Sequence, residues 1–186
     1  MCAADATYRS NVGIALFNRH GWVLIARRTG DDGPEIVAPG FEWQMPQGGI
    51  EPGEDIEAAA RRELAEETGV TRAELLDILP QALSYDWPPY HGPPHRLTRW
   101  RGQRQRWLAF RFTGSDDEVD LSHAAPGEPP EFDRWRWERL ALLPDLVIGY
   151  KRAVYAAVAA GFATFASNGA DEPAAGPAGS CRNSSS

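Results

Sequence analysis

The chain has 186 residues, enough for one ordinary domain with a sizeable core. Apolar residues make up 42% and charged residues 24%, and no apolar run approaches the ~18 residues needed to span a bilayer. Net charge is −7, which argues against a surface built for long polyanions, DNA included. The N-terminus, MCAADATYRSN, lacks the basic and apolar regions of a secretory signal. Cys2 and Cys181 form neither a metal spacing nor a disulfide framework. The expected compartment is a reducing cytoplasm, with no membrane partner.

Residues 1–7 read as a flexible N-terminus. Tyr8–Asn18 contains VGIALF, a run fit for a buried strand, and Trp22–Arg28 is a second strand after a turn. Residues 29–42 are rich in Gly, Pro and Asp and read as a loop. Trp43–Pro46 is a short strand leading into Gly48, Gly49 and Gly53, whose freedom permits a tight path. A helix runs from about Asp55 to Thr68, with Asp55 as N-cap and Gly69 as terminator. Leu75–Tyr85, Gln103–Phe112 and Phe132–Arg139 are further strands, and Gly149–Phe165 is an alanine-rich C-terminal helix. Residues 167–186 are a low-complexity tail too poor in apolar side chains to fold. The domain therefore spans 8–166, and the pattern alone gives an α+β class.

The helix carries the chemistry. Glu63, Glu66 and Glu67 are i, i+3 and i+4 neighbours and share one face. At ~100° per residue, Ile56, Ala59, Ala60 and Val70 fall on that face, while Ala58, Arg61 and Thr68 fall opposite. A solvated acidic face is one reading of such a cluster, but here the acids continue an apolar stripe. Two carboxylates ~4 Å apart repel by roughly 4 kcal/mol at an effective dielectric of ~20. A hard divalent cation with a preference for oxygen ligands offsets that.

Gly48, five residues, Glu54, seven residues, then Arg62-Glu63-Leu64-Ala65-Glu66-Glu67-Thr68-Gly69-Val70 resembles the Nudix box without a substitution. The resemblance implies an α/β fold, an α/β/α sandwich with a mixed sheet, the box helix and a C-terminal helix. It also implies hydrolysis of a nucleoside diphosphate linked to another group, with Mg²⁺ as cofactor and Mn²⁺ or another divalent cation able to substitute. The segments YRSNVGIALFN, ARR, WQMPQGGIEPGE, GQRQRW, PEFDRWRW and a late YKR, in that order, resemble the bacterial RNA pyrophosphohydrolase subfamily. Close relatives of that subfamily hydrolyse diadenosine tetraphosphate. The implied partner is the 5′ end of RNA or a dinucleoside polyphosphate.

From that resemblance, Glu63, Glu66, Glu67 and Glu131 are the implied metal ligands and Arg62 holds a box glutamate in place. Glu63 is the first choice for general base and Glu66 the second. Arg9, Arg28, Gln103 and Gln105 are implied near the phosphates or the 5′ nucleotide, with Tyr150 and Lys151 at the base. Lys151 is the only lysine in the chain. Six arginines and no acid occupy 95–111. Strand alternation separates Gln103 and Gln105 from Arg104 and Arg106, and the resemblance implies that the glutamines take the site side with the arginines opposite as edge charges. Trp43, Trp107, Trp135 and Trp137 read as core, whereas Tyr85, Trp87 and Tyr90 sit where they are free to stack on a base.

Overall fold

The computed structural model describes residues 8–122 and 130–166. The expectations for residues 1–7 and 167–186 lie outside the described residues, as does the stretch 123–129 before Pro130.

Strand β1 (Tyr8–Phe17) is the spine. Val12, Ile14 and Leu16 point to one face and Ala15 and Phe17 to the other, all fully buried. Burial on both faces explains why VGIALF is a continuous apolar run rather than an alternating one. The other strands are β2 (Val23–Arg28), β3 (Trp43–Gln44), β4 (Gln47–Gly49), β5 (Ala73–Ile78), β6 (Leu83–Asp86), β7 (Gly102–Phe112) and β8 (Phe132–Glu138). They form one sheet along the path β3-β2-β1-β7-β5, with β4 on β1, β6 on β7 and β8 on β2. β1 and β7 are parallel from Tyr8↔Gly102 to Phe17↔Arg111, and the remaining pairs are antiparallel, so the sheet is mixed.

Helix α1 (Ile56–Thr68) covers the even face of β1, packing Ala59, Ala60 and Leu64 on Val12, Ile14 and Leu16. The short α2 (Leu143–Leu146) and α3 (Arg152–Gly161) cover the odd face through Leu143, Val154, Tyr155 and Val158. This is the α/β/α sandwich. Among the described residues no helix is long and apolar enough to cross a membrane.

Several boundaries differ from the sequence reading, each for a physical reason. The segment Leu75–Tyr85 is two strands, because Pro80 lies between β5 and β6 and the chain bends there before both pair with β7. The C-terminal helix is shorter, flanked by 3₁₀ turns at Gly149–Lys151 and Ala163–Phe165. β7 is not an edge strand, since β1 lies on one side and β5 and β6 on the other. Arg104 and Arg106 do face away from the glutamines, but from a central strand.

The turn between β1 and β2 closes a hairpin only at its tip. Phe17 pairs with Val23, and Asn18 Oδ1 accepts from the backbone of His20 and Trp22 at 2.9 and 3.0 Å. Beyond it β1 and β2 part, β4 pairs with Asn11–Gly13 of β1, and the Pro46 carbonyl accepts from the Ile14 amide at 2.9 Å. The residues after Pro46 enter that opening, and the site is built there.

Asp55 caps α1 by accepting from the Glu57 and Ala58 amides at 2.9 and 3.2 Å, and Gly69 ends it in the left-handed region at φ 70°. Asp55→Ala removes the cap and is expected to cost about 1 kcal/mol. A chain of this size should then melt roughly 2–4 °C lower, as thermal denaturation followed by circular dichroism will read.

Candidate active site

Arg62 ties the glycine loop to the helix. Its guanidinium makes two bonds to Glu54, at 2.9 Å each, and donates to the Gly49 carbonyl at 2.8 Å. It also donates to Glu63 at 2.8 Å and Glu66 at 3.2 Å. Hydrogen bonds from Arg62 hold the Glu54 carboxyl down to about 2. The loop from Gly48 to Glu54 is thereby fixed against the turn of α1 that carries the acids.

The three box acids differ in surroundings. Glu63 has a 13% exposed side chain, Glu66 is exposed, and Glu67 is turned inward to accept from the Gln47 amide at 3.1 Å. Leu64 and Thr68 are fully covered, so the buried stripe runs through Ala59, Ala60, Leu64 and Thr68. Glu67 lies within that stripe and Glu63 at its edge, both largely withdrawn from solvent, while Glu66 points outward. Thr68, expected on the far side, is buried because its hydroxyl is satisfied by the Leu64 carbonyl at 2.6 Å.

Burial raises the Glu67 carboxyl well above its ordinary value, and the like charges of Glu131 and Glu63 raise it further. Burial also raises Glu63, against the pull of Arg62. Glu131 reaches this neighbourhood from the turn before β8, where its carbonyl accepts from the Thr29 amide at 3.0 Å and its carboxylate meets Arg28 at 3.3 Å. Among the described residues no three acidic, histidine or cysteine side chains already stand as a ready metal-ligand cluster. The donor chemistry nevertheless suits a hard cation, because every candidate donor is an oxygen. A Cβ built on Gly48 would collide with the Glu63 carboxylate, so glycine leaves the room the carboxylate occupies. Gly48→Ala is therefore expected to displace Glu63 and lower kcat about 100-fold, the scale of a 1 Å misplacement, with thermal melting reporting that the fold persists.

Behind the acids lies a buried polar network centred on Glu35, a residue of the 29–42 loop that the sequence reading did not single out. Its carboxylate accepts from Lys151 Nζ at 2.5 Å, Gln47 Nε2 at 2.8 Å and Gln103 Nε2 at 3.2 Å, with Arg28 Nη1 at 3.9 Å. Gln105 donates to Asn11 and Gln47 at 2.9 and 2.8 Å, and Tyr85 donates to Gln103 at 2.9 Å. Burial pushes the Glu35 carboxyl up, but Lys151 and Arg28 bring it down to about 2. Gln47 joins the two halves, its backbone on Glu67 and its side chain on Glu35.

The expected binding residues divide accordingly. Arg9 lies against Gly49 near Glu63. Arg28 is buried between Glu35 and Glu131, and Tyr150 is half-buried, its ring 5.4 Å from Tyr85. Gln103, Gln105 and Lys151 are at most 2% exposed, so they brace the site from inside and do not form its surface. Tyr85 and Trp87 are buried too, and not free to stack on a base: the Tyr85 hydroxyl is held by Gln103, and Trp87 packs in the core. Trp107, Trp135 and Trp137 are core as expected.

A NUDIX domain model matches residues 7–158. The chain belongs to the NUDIX family. It is 48% identical over 160 residues to a protein of Caulobacter vibrioides named RNA pyrophosphohydrolase, covering 86% of this chain and 88% of that one. An RNA pyrophosphohydrolase of Acidiphilium cryptum is 50% identical over 169 residues, covering 88% and 95%. Among solved structures, an Ap4A hydrolase of C. elegans matches with a TM-score of 0.52 at 19% identity, covering 83% of this chain and 98% of that one. The MutT protein of Methanosarcina mazei matches at 0.53 and 21%, covering 81% and 92%. These structural likenesses bear on the NUDIX fold alone.

Proposed function

We propose that this NUDIX hydrolase acts on the 5′ end of RNA, adding water across a phosphoanhydride so that a 5′-triphosphate becomes a 5′-monophosphate and pyrophosphate leaves. The observation that carries the reading is identity near 50%, over most of the chain, to bacterial proteins named RNA pyrophosphohydrolase. The catalytic unit is residues 8–166, working in the cytoplasm.

Glu63, Glu66, Glu67 and Glu131 would hold a divalent cation, Mg²⁺ first, with Mn²⁺ in its place. When bound, the cation neutralises charge on phosphate oxygens and lowers the pKa of a water. Glu63 takes the proton of the attacking water, with Glu66 the second candidate. Its partial burial raises its pKa toward the working range of a general base. Arg62 holds Glu63 in aim through the 2.8 Å bond. Arg9 meets the phosphate chain, and Arg28 and Tyr150 face the 5′ nucleotide, braced from within by Lys151, Gln103 and Gln105 through Glu35.

The test offers the purified protein triphosphorylated RNA and diadenosine tetraphosphate side by side. RNA turnover should have the higher kcat/KM, vanish in excess EDTA and return with Mg²⁺. Full activity in EDTA would remove the metal from the reading. Cleavage of diadenosine tetraphosphate to ATP and AMP with no action on RNA would replace the substrate.

A further inference from the structure

Residues 36–41 read IVAPGF, an uncharged apolar run in a chain of net charge −7. Its two ends are tied to the two residues proposed to face the 5′ nucleotide. The Tyr150 hydroxyl reaches the Ile36 carbonyl at 3.5 Å, and the Arg28 amide donates to the Glu42 carbonyl at 2.9 Å. Glu42 also bridges to Val147, which pins the far end of the run to the body of the protein. Ile36, Val37 and Ala38 are half-buried, while Pro39, Gly40 and Phe41 are exposed.

The exposed end is a rigid turn. Proline presets its own φ, and Gly40 takes φ 86°, as the two central positions of a type II turn require. The Phe41 amide closes that turn on the Ala38 carbonyl at 2.9 Å. Phe41 is 42% exposed, and among the described residues no ring or cation stacks on it. A ring presented from a fixed turn gives up little further freedom when a flat ligand settles on it. The run has no cation to hold a phosphate. A nucleobase needs none, because every base has a face that stacks on an aromatic ring.

We infer that residues 36–41 form a stacking ledge for unpaired RNA bases on the 3′ side of the nucleotide at Arg28 and Tyr150, with Phe41 as the ring that receives one of them. The inference rests on the proposed reaction. With the phosphates turned toward Arg9 and Glu63, the RNA strand leaves that nucleotide across this run. A single-stranded 5′ end brings unstacked bases to Phe41, whereas a base-paired end withholds them. A dinucleotide stops short of the ring.

The experiment measures kcat/KM for an unpaired 5′-triphosphorylated hexanucleotide and for a 5′-triphosphorylated dinucleotide, in the parent protein and in Phe41→Ala. The ratio of hexanucleotide to dinucleotide should fall about tenfold in Phe41→Ala, the scale of one lost base–aromatic stack. Phe41→Tyr should keep the parent ratio. Phe41→Leu should lose it, because leucine keeps the apolar bulk without the ring. An unchanged ratio in Phe41→Ala overturns the ledge and leaves the exposed ring to a protein partner. An equal loss on both substrates overturns it too, by placing Phe41 at the first nucleotide, and so does a parent ratio in Phe41→Leu. Fluorescence anisotropy of the labelled hexanucleotide on Glu63→Gln, with and without Phe41→Ala, reads the ledge without turnover. A Kd about tenfold weaker with Phe41→Ala sustains it, and equal Kd values or no binding by either protein overturn it. Because this titration needs no catalysis, inactivity of the parent protein on triphosphorylated RNA would count against the proposed reaction and leave the ledge to be decided by binding.

Discussion

Glu63→Gln is expected to lower kcat by about 10²–10⁴ while the protein stays folded. The carboxylate sits where Gly48 leaves room for it and is fixed by Arg62 at 2.8 Å, so the amide fits the same space and keeps one oxygen for Arg62. What the amide lacks is a basic oxygen for the proton and a charge for the cation. Folding should not suffer, because burial already raises the Glu63 carboxyl and Glu66 repels it. Removing a buried like charge relieves Glu67 as well, whose carboxyl is raised by Glu63 among others. The melting temperature in EDTA should therefore hold or rise as turnover collapses, a pairing that an unfolding mutation cannot produce. A fall of less than tenfold would pass the role of base to Glu66.

The geometry of the glycine loop and α1 was legible in the sequence because its parts are local. Asp55, Gly69, the glycines and the i, i+3, i+4 acids lie within one segment, where spacing alone sets geometry. The strands with strong apolar patterning were legible for the same reason. What sequence did not disclose is non-local. Glu35 lies in a loop without periodicity, and its partners are 12 residues away in Gln47, 68 in Gln103 and 116 in Lys151. The single lysine was the available signal: a buried lysine demands an acid, and this chain has many acids to choose from. The phase of α1 holds for Glu63 and Glu67 and fails for Thr68, which the core takes, and for Glu66, which is exposed. Pro80 interrupts the apolar run around it and divides β5 from β6.

Lys151→Ala is expected to act on stability first, and its cost should exceed that of any surface charge change. Nζ lies 2.5 Å from Glu35 and 2.9 Å from Gln44, and the residue is 2% exposed. Truncation leaves the Glu35 carboxylate buried with only the more distant Arg28 as counter-charge. Breaking a buried pair from one side costs roughly 3–5 kcal/mol. Such a loss corresponds to a melting temperature lower by roughly 6–20 °C for a chain of this size. Lys151→Met combined with Glu35→Gln should recover most of it, because neither partner is left charged and the amide keeps an acceptor for Gln47. The sign with pH follows from Glu35. Its folded pKa of about 2 lies below the ordinary carboxyl value of 4.5, so its contribution is complete above 4.5 and is lost as pH falls toward 2. Denaturant midpoints measured across that window should fall more steeply for the parent protein than for the double variant. If Lys151→Ala melts with the parent and only raises KM for RNA, the lysine is a surface contact to the nucleotide, and the buried pair does not hold this side of the site together.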